Sequence, residues 1–181
     1  MSAKEEFKAI VSSNIRRDGI DKLMAQLEKT DFYTAPASTK YHDSVEGGLV
    51  YHSIKVFRAL MDLDRDNRYT AETLAIVALF HDLCKVGFYT VEYRNSKNEQ
   101  GQWVKVPYYG VKDLFPFGHG EKSCFLILEH MKLSNEELMA VRWHMGGFEP
   151  KESYGTLSEA YSQYPLAVML HMADLSATYI K

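Results

Sequence analysis

Residues 81–87 read HDLCKVG, and they decide the fold because they place a histidine beside an aspartate directly after the apolar segment TLAIVALF at residues 73–80. Thr70 is a favourable N-cap for a helix through that segment. Imidazole nitrogen and carboxylate oxygen both bind divalent cations. The stretch therefore predicts a helix whose last turn carries His81 and Asp82 into a metal site.

Four further residues of the same chemical types lie elsewhere in the chain, namely His52, His119, His144 and Asp174. The spacing of neighbouring apolar residues places His52, His144 and Asp174 inward, each on a separate predicted helix. A lone histidine on such a face is usually a hydrogen-bonded core residue. Burying each polar group without a partner costs about 1–3 kcal/mol, however, and a shared cation would satisfy all of them together.

The rest of the chain has mainly helical patterns. Residues 4–29 predict a pair of packing helices interrupted near Gly19. Ser134 and Glu137 form the S-x-x-E pattern of a capping box, which opens a helix toward His144. A final helix that carries Asp174 is expected from about Glu159.

One segment has a different character. FYTVEYR (88–94) and QWVKVPYY (102–109) are rich in β-branched and aromatic residues, and they flank the polar stretch NSKNEQG (95–101). This pattern predicts a β-hairpin over about residues 87–110. The expected fold class is therefore all-α, a compact helical bundle with this small hairpin inserted.

Length, composition and charge narrow the class of protein. The 181 residues, 46% of them apolar, suffice for one core, so we expect a single domain over residues 1–181 with the motifs within 42–177. The net charge of −3 gives no basic footprint for a long nucleic acid, and we expect a small-molecule substrate. There is no apolar stretch of about 18 residues and no secretory signal, so we expect a cytoplasmic protein without a membrane partner.

Five motifs occur in a recognisable order: HDSVEGGLVYHSIKV (42–56), HDLCKVG (81–87), GHGEKS (118–123), RWHMGGF (142–148) and HMADLSA (171–177). Together they resemble the HD superfamily of metal-dependent phosphohydrolases. The resemblance implies a compact helical HD-domain bundle. It also implies that the first ligand histidine of the family corresponds to His52, its histidine–aspartate pair to His81 and Asp82, and its last aspartate to Asp174.

Binuclear members of that superfamily have two further histidines between the pair and the last aspartate. His119 and His144 occupy matching contexts, which implies a second ion with Asp82 as the bridging ligand. The expected cofactor is one or two divalent ions per chain. The sequence does not distinguish manganese, magnesium, zinc, iron, cobalt and nickel.

The resemblance implies hydrolysis of a small phosphorylated substrate, with a nucleotide or cyclic nucleotide as the leading class, by attack of a metal-activated water on phosphorus. Asp82 and Lys85 are the expected catalytic residues, and Lys85 and His42 are expected to bind substrate. Lys85 follows Asp82 by three residues, so its ammonium can extend over the same side toward a phosphate. The motif RWHMGGFEP (142–150) lacks the signature of the bacterial cyclic-di-nucleotide subgroup, which disfavours that activity.

Two other functions stay open. The same six-ligand arrangement occurs in HD relatives that hold two irons and act as oxygenases, and a domain of this kind can also be a nucleotide-binding regulatory module with little turnover. Cys84 and Cys124 are the only cysteines, and both are expected to be free thiols. Cys84 is expected to pack as a small apolar residue and not to act as a nucleophile.

Overall fold

The computed structural model describes residues 1–40 and 43–180. Within these residues the chain is mainly helical, with one two-stranded antiparallel sheet, so the label all-α is slightly loose. The helices are α1 (Ala3–Asn14), α2 (Ile20–Leu27), α3 (Gly48–Leu63), α4 (Ala71–Phe80), α5 (His119–Leu128), α6 (Asn135–Trp143), α7 (Tyr154–Gln163) and α8 (Pro165–Tyr179). The strands are β1 (Tyr89–Lys97) and β2 (Trp103–Val111).

Helix α4 lies at the centre of the bundle and packs against α1, α3 and α6. The seven residues from Leu74 to Phe80 are all buried, which agrees with the unbroken apolar run in the sequence. Thr70 caps the helix as predicted, because its side-chain oxygen accepts a hydrogen bond from the backbone N–H of Thr73. The centre of the core therefore leads directly to the residues that follow α4.

The end of α4 differs from the sequence-based expectation. The helix ends at Phe80, and His81 is its C-cap instead of a residue of its last turn. Asp82 then precedes a short 3₁₀ turn at Leu83–Lys85. Residues three apart are eclipsed in a 3₁₀ turn, so Lys85 lies over Asp82. The sequence predicted the same proximity, but from the spacing of an α-helix.

Helix boundaries elsewhere follow local signals. The capping box at Ser134 and Glu137 is confirmed, with both hydrogen bonds present. Gly19 separates α1 from α2 with a φ of 95°, and a Cβ there would lie 1.8 Å from the carbonyl oxygen of His130. Only glycine fits this position, both for its left-handed backbone and for the close approach of the neighbouring chain.

The single final helix expected from about Glu159 is wrong. Two helices occupy this region, α7 and α8, and Tyr164 between them has a non-helical ψ of 84°. Pro165 explains the break, because proline disfavours helical geometry in the residue before it and is well tolerated in the first turn of a new helix. The break turns α8 back against α3 and α6, which brings Asp174 to the centre of the bundle.

The predicted hairpin is present, with Tyr89 paired to Val111 at its base. Its outer part is solvent-exposed, and Trp103 has 69% of its surface accessible. No helix in the described ranges is both long enough and apolar enough to cross a membrane.

Candidate metal centre

Six residues that the sequence singled out meet at the end of α4. Asp82 is at the centre with four histidines around it, and Asp174 joins the group through His52. The five residues other than Asp82 are His52 in α3, His81 after α4, His119 at the start of α5, His144 after α6 and Asp174 in α8.

One oxygen of Asp82 faces the helices α3 and α8. Its Oδ2 lies 3.4 Å from His81 Nε2 and 3.8 Å from His52 Nε2. His52 Nε2 in turn lies 3.0 Å from Oδ1 of Asp174. The ligand atoms of His52, His81 and Asp174 all lie within 4.8 Å of one another, a spacing at which they can hold one metal ion.

The other oxygen of Asp82 faces α5 and α6. Its Oδ1 lies 2.8 Å from His119 Nε2 and 3.6 Å from His144 Nε2. Cys84 Sγ is 3.3 Å from the same His119 nitrogen. Asp82, Cys84 and His119 form a second group whose ligand atoms lie within 4.8 Å of one another, and His81, Asp82 and His144 form a third.

Two of the imidazoles are oriented by the main chain. His81 Nδ1 lies 2.8 Å from the carbonyl oxygen of Ala78, and His144 Nδ1 lies 2.7 Å from that of Val141. A carbonyl oxygen only accepts hydrogen bonds, so Nδ1 carries the proton in both rings and Nε2 presents its lone pair to the site. This is the usual arrangement of a metal-binding histidine.

These Nε2 atoms provide the test of whether a metal fits. Both rings are completely buried, and within the described residues neither Nε2 makes a hydrogen bond. A buried nitrogen without a partner costs about 1–3 kcal/mol. Because both atoms point toward the same aspartate, and the donors are imidazole nitrogens and carboxylate oxygens, the residues fit a divalent cation.

The electrostatics favour ionised carboxylates in the centre. Burial acts to raise the pKa of Asp82, but this pKa is held well below its usual value, and the Lys85 ammonium at 2.6 Å is the largest influence that opposes burial. The pKa of Asp174 is also lowered, since the hydrogen bond from His52 outweighs burial. Burial lowers the pKa of His144, which keeps that imidazole neutral and able to act as a ligand.

His171 supports the centre from behind. Its Nδ1 donates a hydrogen bond to the carbonyl oxygen of His144 at 2.7 Å, which fixes the backbone next to that ring. Gly146 makes room for it, because a Cβ at Gly146 would lie 2.5 Å from the His171 ring. His171 lies one turn before Asp174 on α8. It therefore links the helix that carries Asp174 to the backbone of His144.

A cavity of about 590 Å³ opens onto the centre. Asp82, His119 and Asp174 are among the residues that line it, and so is Lys85, whose side chain is 13% exposed. The walls include aromatic and apolar side chains from the base of the hairpin and from residues after α6: Phe88, Tyr89, Val111, Met145 and Phe148. Its volume lies within the range of small-molecule sites, about 300–1,000 Å³.

Sequence reasoning missed two residues near the centre, and a third lies outside the described residues. The expectation that Cys84 only packs as a small apolar residue overlooks its contact with His119. Lys122 is buried, pairs with Asp113 at 2.8 Å, and lines a neighbouring cavity with Cys84 and His119. Its position three residues after His119 on α5 was a usable signal. His42 is not among the described residues, and its expected role in substrate binding stays a prediction.

Comparison with known proteins gives one match. A family model described as HD domain matches residues 49–174, which is more than half of the chain. The matched range contains Asp82 and all five of the residues around it. Neither the search of curated proteins nor the search of solved structures found a match.

Proposed function

This chain belongs to the HD domain family of metal-dependent hydrolases, and from that premise we propose that it is a binuclear phosphohydrolase acting on a small phosphorylated substrate, most specifically a nucleotide or cyclic nucleotide. One observation carries the proposal. The two oxygens of Asp82 face separate sets of donor atoms, at distances of 2.8 to 3.8 Å, so that one carboxylate can bridge two ions.

The proposed ligands divide between the two sides of the carboxylate. His52, His81 and Asp174 would hold one ion with Oδ2 of Asp82, and His119 and His144 would hold the other with Oδ1. When bound, such ions lower the pKa of water toward about 7 and neutralise charge on phosphoryl oxygens.

Lys85 supplies a fixed positive charge beside the ligands. Burial opposes this charge, but the carboxylate of Asp82 outweighs burial and raises the pKa of Lys85, so the ammonium is retained at neutral pH. The side chain also lines the cavity, where it can bind a phosphoryl oxygen and stabilise the charge that develops there. We therefore assign Lys85 to substrate binding and charge stabilisation, and Asp82 to holding the reacting centre.

The shape of the cavity supports a substrate of nucleotide size. Phe88 and Tyr89 at the hairpin base and Phe148 after α6 provide ring surfaces in its lining, and base stacking on such rings contributes about 1–3 kcal/mol. The exposed hairpin residue Trp103 is not part of these walls. Base stacking is therefore assigned to the hairpin base and not to its outer part.

The test is a turnover screen with the full-length protein loaded with manganese, zinc, cobalt, nickel, magnesium or iron. Substrates are nucleoside monophosphates, diphosphates and triphosphates, cyclic nucleotides and phosphate esters without a base. Products are identified by phosphorus NMR in heavy-oxygen water, and oxygen uptake is recorded in parallel. His81→Ala serves as the inactive control.

Phosphate release or ring opening, with heavy oxygen in the phosphoryl group and no activity in His81→Ala, would support the proposal. Oxygen uptake with an iron-loaded protein and no phosphoryl product would contradict it and favour the oxygenase. Tight nucleotide binding without product under every metal would contradict it in favour of a regulatory module.

A further inference from the structure

We propose that Cys84 is a sulfur ligand of the second ion, on the Oδ1 side of Asp82, an inference that rests on the proposed binuclear function. The donor set on this side would then be one carboxylate oxygen, two imidazole nitrogens and one thiolate. The other side has only nitrogen and oxygen donors, so the two halves of the centre differ in chemistry.

The position of the sulfur is the first argument. Cys84 Sγ lies 3.3 Å from His119 Nε2, and His119 Nε2 lies 2.8 Å from Asp82 Oδ1. The three ligand atoms lie within 4.8 Å of one another, as metal ligands around one ion do. The 3₁₀ turn that follows α4 makes this possible, because in a continuous α-helix residues two apart would not face the same site.

A second observation points to a ligand at the same place. His144 Nε2 is fully buried, makes no hydrogen bond within the described residues, and lies 3.6 Å from the same Oδ1 of Asp82. The His119 and His144 rings are adjacent, with centroids 5.3 Å apart. The ligand atom of His144 lies within 4.8 Å of those of Asp82 and His81, so an ion held at Oδ1 of Asp82 would be within reach of this nitrogen.

The other cysteine shows what a packing role looks like in this fold. Cys124 belongs to the main hydrophobic cluster, and its thiol donates a long hydrogen bond to the carbonyl oxygen of Leu138. Cys84 is equally buried, but it belongs to neither hydrophobic cluster of the described residues and lines a cavity beside His119. The backbone N–H of Cys84 donates to Ser123 Oγ, which anchors the turn and directs the sulfur.

A sulfur ligand has a consequence for the choice of metal. Thiolate is a soft donor that favours zinc, iron or cobalt, whereas magnesium and manganese prefer oxygen. The second ion should therefore be zinc, iron or cobalt, and magnesium should bind there poorly.

Cobalt(II) provides the test because a cobalt–thiolate bond gives a near-ultraviolet charge-transfer band that nitrogen and oxygen ligands do not. The full chain, reduced and stripped of metal, is titrated with cobalt as wild type, Cys84→Ser and the matched control Cys124→Ser. Circular dichroism checks that each variant is folded. X-ray absorption of the wild type provides a readout that needs no substitution, since a sulfur neighbour lies about 2.3 Å from the metal.

The expected result is a charge-transfer band that appears with the second equivalent in the wild type and in Cys124→Ser and is absent in Cys84→Ser. The affinity of Cys84→Ser for the second ion should fall at least about tenfold. Two bound cobalt ions without the band, or a band that persists in Cys84→Ser, would overturn the sulfur ligand and leave the proposed function standing. A wild type that binds no cobalt would overturn both.

Discussion

Two groups of buried charge in this protein differ in how completely their polar atoms are hydrogen-bonded. Glu137 on α6 is fully buried, and both of its oxygens have partners. Arg17 donates to Oε2 at 2.5 Å, the backbone N–H of Ser134 donates to the same oxygen at 2.8 Å, and Thr73 donates to Oε1 at 3.0 Å. The carboxylate is enclosed by the protein itself.

The group around Asp82 is also largely buried, but its polar atoms are not all hydrogen-bonded. His81 and His144 each have one ring nitrogen hydrogen-bonded to the main chain, while the other makes no hydrogen bond within the described residues. A carboxylate that serves the fold is saturated by protein donors, as Glu137 is. The two Nε2 atoms without a hydrogen bond indicate instead that the cluster around Asp82 binds a ligand, and a divalent cation fits them.

The largest effect is expected when the carboxylate of Asp82, which faces both sides of the centre, is removed. Asp82→Asn should abolish binding of both ions and lower phosphohydrolase activity by at least about 1,000-fold, because it removes the negative charge common to the two sides. Elemental analysis and turnover measure the two effects. A variant that keeps two ions per chain would show that Asp82 does not bridge.

The second substitution changes Glu137, the carboxylate whose oxygens are fully hydrogen-bonded by the protein. Glu137→Gln should leave metal content unchanged but reduce the free energy of unfolding by about 2 kcal/mol, because it removes one of the two carboxylates that pair with Arg17, the other being that of Glu72. The midpoint of urea unfolding measures this. Unchanged stability, or loss of metal from this variant, would erase the distinction between the two clusters.

Lys85 tests whether the charge next to Asp82 serves the substrate. Lys85→Ala should lower turnover by about 10- to 100-fold without lowering metal content, because the ammonium binds substrate and is not a ligand. Lys8→Ala is the matched control, since Lys8 pairs with Glu28 on the surface. Equal turnover in the two variants would mean that Lys85 only neutralises Asp82.

A smaller effect is expected when the pH is lowered and the stabilising contribution of Glu137 is measured. The hydrogen bond from Arg17 outweighs burial and lowers the pKa of Glu137 in the folded protein. Its stabilising contribution is therefore present above the pKa of an unfolded glutamate and is lost as pH falls through the lower folded pKa. The difference in unfolding free energy between wild type and Glu137→Gln should therefore shrink as the pH falls below that range. A difference that does not depend on pH would contradict the assignment.

Much of the fold was predictable because its signals are local. The apolar run before His81, the cap at Thr70 and the capping box at Ser134 each act within a few residues, and the structure confirms the two caps and the buried helix. The break before Pro165 was also local and was missed, because the apolar spacing on both sides is helical. Asp82 and the five residues around it could be nominated from residue type and order, but their distances depend on how five helices pack.

Cys84 shows why the rest could not be predicted. A helix continued through residue 85 would point Cys84 away from Asp82, and the sequence does not mark the change to a 3₁₀ turn. Its neighbour His119 is 35 residues away along the chain. The contact arises only from the packing of α5 against that turn.

The most direct test of the central claim is the metal content per chain of protein purified anaerobically without chelator, for the wild type, His119→Ala and His144→Ala. The account predicts close to two equivalents in the wild type and about one in each variant, because these histidines lie on only one side of Asp82. About one equivalent in all three proteins would contradict the binuclear centre and leave only His52, His81, Asp82 and Asp174 as ligands.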